Sequence, residues 1–130
     1  NIIHQGYIAK ILPLKINNKI NILNNKQNNF LILDGVTDPR NIGSIIRTSV
    51  AFGIMGLIVK EREFNNKSIA MYKSACGAME KIKIFQYSNI KYAINDLKKS
   101  GFHSISFDSK ATNIIDEKTF KEKNLLIFVF

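Results

Sequence analysis

The sequence is poor in cysteine, tryptophan and proline: its 130 residues include one cysteine, no tryptophan and two prolines. A single cysteine, Cys76, can form neither an internal disulfide nor a cysteine-cluster zinc site, which argues against disulfide-stabilised secreted domains and zinc-finger modules. No apolar run approaches the roughly 18 residues of a membrane-spanning helix, and no charged and then apolar leader opens the sequence. We therefore predict a cytoplasmic protein with no membrane partner.

Acidic residues are also scarce, because 10 Asp and Glu stand against 19 Lys and Arg, which gives a net charge of +9. The length and the 45% of hydrophobic residues are typical of one globular domain. An excess of positive charge favours a polyanionic partner, most often nucleic acid. Basic proteins that bind no nucleic acid are also common, so charge alone leaves both readings open.

Hydrophobic patterning predicts alternating strands and helices. Residues 30–33 form a short continuous apolar run, which is typical of a strand buried on both faces. Asp38 and Pro39 then provide the cap and the first position of a helix that Gly53 would end. The remaining predicted elements are strands at 57–59, 82–85, 102–107 and 125–130, helices at 67–76 and 88–100, and one helical turn at 116–121. We predict an α/β fold with a mainly parallel sheet and helices on both faces.

The first 28 residues differ from the rest, because they are rich in Asn and Lys and contain only short apolar stretches. We predict an N-terminal arm at 1–28, with a strand at 7–12 that ends at Pro13 and a shorter strand around 20–23. Residues 29–130 form the main body. The sequence also stops within an apolar run, which is unusual for a domain boundary and suggests a fragment.

The loop at 34–43 is the best candidate site, because ligands of open parallel sheets collect at the carboxyl ends of strands and at helix amino ends. Only three arginines occur in the sequence, and Arg40 and Arg47 both lie in or just after this loop. A guanidinium group is a planar, multiple donor that suits phosphate. The alternative is that both are solvated helix residues.

Three motifs together identify a family. The run LDGVTDPRNIGSIIRTSVAFG at 33–53 resembles the first signature motif of the SpoU (TrmH-type) family of RNA ribose 2′-O-methyltransferases, which belongs to the SPOUT class. His4-Gln5-Gly6 resembles the segment that precedes the first strand in rRNA-modifying members. KSACGAME at 73–80 is similar to the family's K-x-S-x-G-A-x-E segment.

The resemblance implies a sheet whose C-terminal part forms a trefoil knot, and methyl transfer from S-adenosylmethionine to a 2′-hydroxyl of RNA. The His4-Gln5-Gly6 segment favours ribosomal RNA as the substrate. Asn41 and Arg47 match the family's functional Asn and Arg, which implies catalytic roles for both and RNA binding by Arg40 and Arg47. Because a guanidinium is a poor base, we expect Arg47 to hold phosphate or to stabilise the developing alkoxide.

The family's second motif, a G-S-E-G-like loop, and its third, with Ser-Leu-Asn, do not occur in these 130 residues. The resemblance therefore implies a C-terminally truncated chain that lacks the knot, binds S-adenosylmethionine poorly and is inactive by itself. Cofactor-binding residues stay unassigned. The family dimerises through the knotted region, so we expect this chain to be an aggregation-prone monomer.

Other readings stay open or are set aside. A non-catalytic RNA-binding remnant of such an enzyme remains the alternative. An unrelated nucleotide-binding domain is disfavoured, because no G-x-G-x-x-G or P-loop pattern follows the first buried strand. His4 and His103 lie far apart in the sequence, so we predict no metal site. Cys76 lies between Ala75 and Gly77 and is predicted to be a small packing residue rather than a nucleophile.

Overall fold

A computed structural model describes residues 6–7, 12–17, 29–54, 56–116 and 126–129. The described part contains a parallel sheet and three helices. In chain order, the elements are β1 Ile16–Asn17, β2 Phe30–Ile32, α1 Pro39–Ala51, β3 Gly56–Lys60, α2 Ile69–Ala75, β4 Lys83–Tyr87, α3 Ile90–Lys99, β5 His103–Ser106 and β6 Leu126–Val129.

The six strands form one sheet in the order β1-β4-β3-β2-β6-β5, and every adjacent pair is parallel. From β2 the chain moves outward through β3 to β4, and then crosses to β5 at the opposite edge. The order therefore changes direction beside β2, between β2 and β6. In open parallel sheets, ligands bind at the carboxyl ends of the strands at such a point.

Alternate residues of the central strands face opposite layers, as the period of two in a strand requires. Leu31 and Leu33 are buried with Ile42 and Ile46 of α1 and with α2. Phe30 and Ile32 are buried on the other face, in the cluster that includes Leu97 of α3 and the neighbouring residues of that helix. Helices on both faces of a parallel α/β sheet were predicted from the sequence, and the structure confirms them.

Helix α1 begins and ends where its sequence predicts. The Asp38 side chain accepts a hydrogen bond from the backbone N–H of Arg40 at 2.9 Å, and Pro39 occupies the first helical position. Gly53 follows the helix with φ +77°, a left-handed conformation that glycine adopts without strain. Asp38 and Pro39 fix the start of α1, and with it the positions of Arg40 and Asn41.

Replacing Asp38 with alanine removes this cap. We expect the free energy of unfolding to fall by about 1 kcal/mol, because one amide N–H of the first turn loses its acceptor. Asp38→Asn keeps a side-chain oxygen at the same place and is the matched control, with a smaller loss. Urea unfolding followed by circular dichroism measures both, and equal losses for the two variants would contradict the capping role.

The N-terminal region contains a strand that the sequence analysis did not predict. The strand that joins the sheet here is β1, where Ile16 pairs with Ile84 and Asn17 with Phe85. It follows Pro13, and the Asn17 side-chain amide donates a hydrogen bond to the carbonyl oxygen of Ile84 at 3.2 Å. The predicted strands at 7–12 and 20–23 fall mainly outside the described residues, as do His4, Gln5 and positions 117–121.

The predicted bounds of the later elements are shifted by one or two residues. Ser68 and Asn89 accept hydrogen bonds from the first turns of α2 and α3 and so cap both helices. The sequence prediction had placed these two residues inside the helices. Serine and asparagine both favour the cap, where the side chain replaces the missing backbone acceptor. Across the described ranges, no helix is long and apolar enough to cross a membrane.

Candidate functional site

The loop at 34–38 leaves the carboxyl end of β2 and enters α1. Of its residues, only Val36 is half-buried, and it packs against the core on the α1 and α2 side of the sheet. Gly35 has φ +90°, so the chain turns here through a conformation that favours glycine. The apolar core therefore holds this loop at one point, and the rest of it is exposed.

Polar contacts with the end of β3 hold the exposed part. The Lys60 ammonium lies 2.5 Å from a carboxylate oxygen of Asp34 and 3.2 Å from one of Glu63. The second Glu63 oxygen accepts a hydrogen bond from the backbone N–H of Gly35 at 3.3 Å. We call Asp34, Gly35, Lys60 and Glu63 the Lys60 cluster. Hydrogen bonds to Asp34 and then to Glu63 raise the pKa of Lys60 above its ordinary value, so its ammonium stays charged throughout the neutral range.

The three residues that the sequence singled out all lie exposed on α1. Arg40 and Arg47 are seven residues apart, which places them on nearly the same face, about 10 Å apart along the axis. Asn41 precedes Arg47 by six residues and lies about 120° around the helix from it. The helix thus brings the two arginines onto one face and places Asn41 on another.

Arg47 points toward the end of α2. Its Nη1 atom lies 3.9 Å from Sγ of Cys76, whose thiol also donates to the carbonyl oxygen of Lys73 at 3.4 Å. Cys76 is exposed and is the one described non-glycine residue with positive φ, at 49°. The prediction of a small packing residue was therefore wrong, because the left-handed cap of α2 turns the thiol outward from the core.

Arg47 reaches this turn because α1 and α2 lie very close together. Gly43 is buried against Met71, Ser74 and Ala75 of α2, and a Cβ atom at this position would overlap the carbonyl oxygen of Met71 and the hydroxyl of Ser74. A side chain at position 43 would push the two helices apart. Gly43 therefore sets the distance across which Arg47 meets Cys76.

Two cavities lie beside the sheet, one after β5 and one between β2 and α1. The first, of about 440 Å³, follows β5 and is lined by Ser106, Phe107, Asp108, Ser109, Ala111, Asn113 and Ile115. The second, of about 540 Å³, is a mainly apolar groove beside α1, lined by Asn29, Leu31, Ser44, Ile45, Thr48, Ser49, Phe52, Ile54 and Phe107. Both volumes fall within the range of small-molecule sites.

In the described part of the chain, no group of three or more His, Cys, Asp or Glu side chains lies close enough together to hold one metal ion. His103 is exposed on β5.

Sequence reasoning missed the Lys60 cluster. A signal was present, because Lys60 directly follows the apolar run 57–59 and so marks the carboxyl end of a buried strand, where residues from different strands meet. The partner of Lys60 could not be read from the sequence, since Asp34 lies 26 positions away and the turn that brings Glu63 back toward Lys60 has no distinctive pattern.

The fold and the site together define a class of protein. It is a parallel α/β domain in which the first helix begins at the carboxyl ends of the strands and carries two exposed arginines. The sequence profile of the SpoU rRNA Methylase family matches residues 28–128. The chain belongs to this family, as its motifs predicted.

Individual relatives agree. The 23S rRNA (guanosine-2'-O-)-methyltransferase RlmB of Haemophilus influenzae is 41% identical over 103 residues, which cover 75% of this chain and 42% of that protein. The protein of the same name from Pasteurella multocida is 32% identical over 118 residues, 87% of this chain and 48% of that protein. The chain thus spans less than half the length of these curated relatives.

Solved structures show the same fold. An rRNA methyltransferase from Sinorhizobium meliloti superposes with a TM-score of 0.65 at 25% identity, covering 79% of this chain and 39% of that one. The SpoU methyltransferase AviRb from Streptomyces viridochromogenes, solved with the cofactor AdoMet, gives a TM-score of 0.64 at 19% identity, covering 79% of this chain and 40% of that one.

Proposed function

We propose that this chain is the N-terminal part of the catalytic domain of an RNA ribose 2′-O-methyltransferase, which uses S-adenosylmethionine and acts on ribosomal RNA in the cytoplasm. The observation that carries the proposal is the shared face of Arg40 and Arg47 on α1, the helix that begins at the carboxyl edge of the sheet. Two arginines on one helix face, at positions about 10 Å apart along the axis, can hold two phosphates of one RNA strand. Membership of the SpoU family and the names of the relatives support the reaction and the substrate.

The cavity after β5 fits one part of the cofactor. Phe107 and Ile115 offer apolar contacts for an adenine ring, and Asp108 with Ser106 and Ser109 offers acceptors and donors for hydroxyl and amino groups. When bound, S-adenosylmethionine supplies an activated methyl group on a sulfonium. The described cavity is open, so we propose that these residues form one wall of a pocket.

The roles of the α1 residues follow from their chemistry. We propose that Arg47 contacts the target nucleotide and stabilises charge that develops on its 2′-oxygen, that Arg40 binds phosphate, and that Asn41 shapes the site. A guanidinium is protonated at any physiological pH and donates in several directions, so it stabilises an oxyanion better than it removes a proton.

We also propose that the 130 residues by themselves do not complete the reaction. The second and third family motifs are not in this sequence. Methyl transfer requires the acceptor oxygen in line behind the methyl group, so a pocket with one wall would lose most of the positioning that catalysis needs.

The test uses the protein encoded by the whole reading frame and, in parallel, the 130-residue chain. We expect the whole protein to transfer tritiated methyl groups from S-adenosylmethionine to 23S rRNA, and the shorter chain to show none. Arg47→Ala should lower kcat by about 100-fold or more, the size of effect seen when a donor to a developing oxyanion is removed. Arg47→Lys should recover part of the rate.

Lys91→Met is the matched control, since Lys91 is an exposed cation on α3. It should leave kcat within about twofold, as expected for a surface residue away from the site. A methyl group found on a base rather than on ribose, or an Arg47→Ala protein with unchanged kcat, would refute the assignment. Transfer by the 130-residue chain would refute its proposed inactivity.

The second candidate is a non-catalytic RNA-binding remnant. It is favoured because Arg40 and Arg47, the proposed RNA-binding residues, are both present in this sequence, whereas the second and third family motifs are not. The reading frame beyond Phe130 separates the two: a stop codon favours the remnant, and a continuation with both motifs favours the enzyme. If the reading frame continues with both motifs, we propose that the protein forms a homodimer through the segment that follows Phe130.

A further inference from the structure

The Lys60 cluster closes a ring between two neighbouring strand ends. Asp34 and Gly35 supply one carboxylate and one N–H from the end of β2, and Lys60 and Glu63 supply one ammonium and one carboxylate from the end of β3. Each of the three contacts joins a different pair of these groups. A ring of this kind holds two segments together at two adjacent positions, so it restricts rotation as well as separation.

The β3 side of the ring is firmly placed. Lys60 pairs with Tyr87 in the sheet. The backbone N–H of Glu61 bonds to the carbonyl oxygen of Tyr87 at 3.1 Å, and that of Glu63 bonds to the carbonyl oxygen of Lys60 at 3.1 Å. The loop side has only Val36 in contact with the core. The ring therefore transfers the rigidity of the sheet to the loop.

The charges of Lys60 and its two partners argue against direct contact between Lys60 and RNA. Its single positive charge faces the two carboxylates of Asp34 and Glu63, so the three groups together carry a net charge of −1. A phosphate group would be repelled by the carboxylates, and Lys60 is therefore unsuited to direct RNA contact. Partly exposed ion pairs also contribute little to global stability. The remaining effect of the ring is to fix the shape of the loop.

We propose that Lys60 and Glu63 are positioning residues, which fix the 34–38 loop against the end of β3 and thereby orient the first turn of α1. That turn begins at Pro39 and carries Arg40 and Asn41, so its direction decides where these side chains meet a ligand. The part of this proposal that concerns RNA rests on the proposed function, and the part that concerns the loop does not.

The loop is tested first, on the 130-residue chain, by amide hydrogen exchange of Gly35 measured by NMR. Lys60→Met keeps most of the side-chain stem and removes the charge. We expect the Gly35 amide to exchange about five- to tenfold faster, because Glu63 loses the ammonium that holds it in place to accept the bond. Lys60→Arg should restore most of the protection, and Lys91→Met should change nothing. An unchanged rate in Lys60→Met would overturn the proposal.

RNA binding is tested second, through the dependence of affinity on salt. Arg40→Gln should lower the slope of log affinity against log salt by about one unit, because one phosphate contact is lost. Lys60→Met should weaken binding about three- to tenfold with an unchanged slope, as misplacement of a bound group implies. A slope reduced as in Arg40→Gln would show that Lys60 contacts phosphate, and an unchanged affinity would show that the loop does not position the site. Either result overturns the proposal.

Amide exchange and RNA affinity distinguish a failure of the loop proposal from a failure of the proposed function. A wild-type chain that binds no RNA at any salt concentration would refute the RNA assignment. The exchange rate of Gly35 would still decide whether Lys60 fixes the loop.

Discussion

Gly43→Ala is expected to lower the free energy of unfolding by about 2 to 3 kcal/mol, although the substitution replaces a poor helix former with the best one. On an exposed helix the same change would stabilise the protein by about 1 kcal/mol. The opposite sign is expected here because Gly43 is buried where α1 meets α2, with the backbone N of Ala75 only 3.1 Å from the place of a new Cβ atom.

The structure around Gly43 has little room to adjust. The carbonyl oxygen of Met71, which the methyl group would overlap, belongs to the backbone of α2. The Ser74 hydroxyl, the other overlapping group, already bonds to the carbonyl oxygens of Ala70 and Met71 at 3.0 and 3.1 Å and lies flat on its helix. Relief requires that one whole helix move, and cores resist such movement because they are close-packed.

Ser44→Ala is the matched control, because Ser44 is the next residue of α1 and is exposed. It should change stability by less than about 0.5 kcal/mol. The double variant Gly43→Ala with Ser74→Gly removes the hydroxyl overlap and leaves the carbonyl overlap, so it should relieve only part of the strain. Urea unfolding measures all three, and a Gly43→Ala chain as stable as the wild type would contradict the close contact.

Phe30→Ala is expected to cost about 3 to 5 kcal/mol, the usual range for a fully buried phenylalanine. Phe30 is 1% exposed on the central strand β2. Its ring packs edge to face on Phe85 and Phe102, with centroid distances of 5.9 and 5.3 Å. The Phe30 ring also lies over Gly56 of β3, where a Cβ atom would overlap the ring.

A loss of this size is a large share of the 5 to 15 kcal/mol that stabilises a typical domain. If the alanine variant does not fold, Phe30→Leu provides a smaller step in the same direction. Phe52→Ala is the control: the same side chain is removed at a position that is 81% exposed, so the change should stay within about 0.5 kcal/mol. Similar losses for Phe30→Ala and Phe52→Ala would show that Phe30 and the rings of Phe85 and Phe102 do not form part of the core.

Local patterns predicted much of this fold. The run 30–33, the alternation of strands with helices and the Asp38-Pro39 start of α1 each depend on residues close together in sequence. The structure confirms the parallel α/β class and the capping of α1. The placement of β1 after Pro13 was not predicted, because the strand is two residues long and exists through its pairing with β4.

The candidate site was predictable in its residues and only partly in its geometry. Helical periodicity already places Arg40 and Arg47 on one face and Asn41 elsewhere. It does not tell which side chain Arg47 meets, and the exposed thiol of Cys76 was predicted to be a packing residue. The left-handed conformation of Cys76 is a property of the α2 cap, and a cysteine there has no local signal that distinguishes it from a buried one.

The sequence by itself determined the family, the order of the elements and the chemistry of α1, because motifs and capping depend on neighbours along the chain. Only the tertiary structure decided that Lys60 joins the loop at Asp34 and Glu63 joins it at Gly35, and that Gly43 brings α2 to Arg47. These contacts link positions 26 to 32 residues apart. Their formation requires the parallel pairing of β2 with β3 and the packing of two helices on one face, which no local pattern specifies.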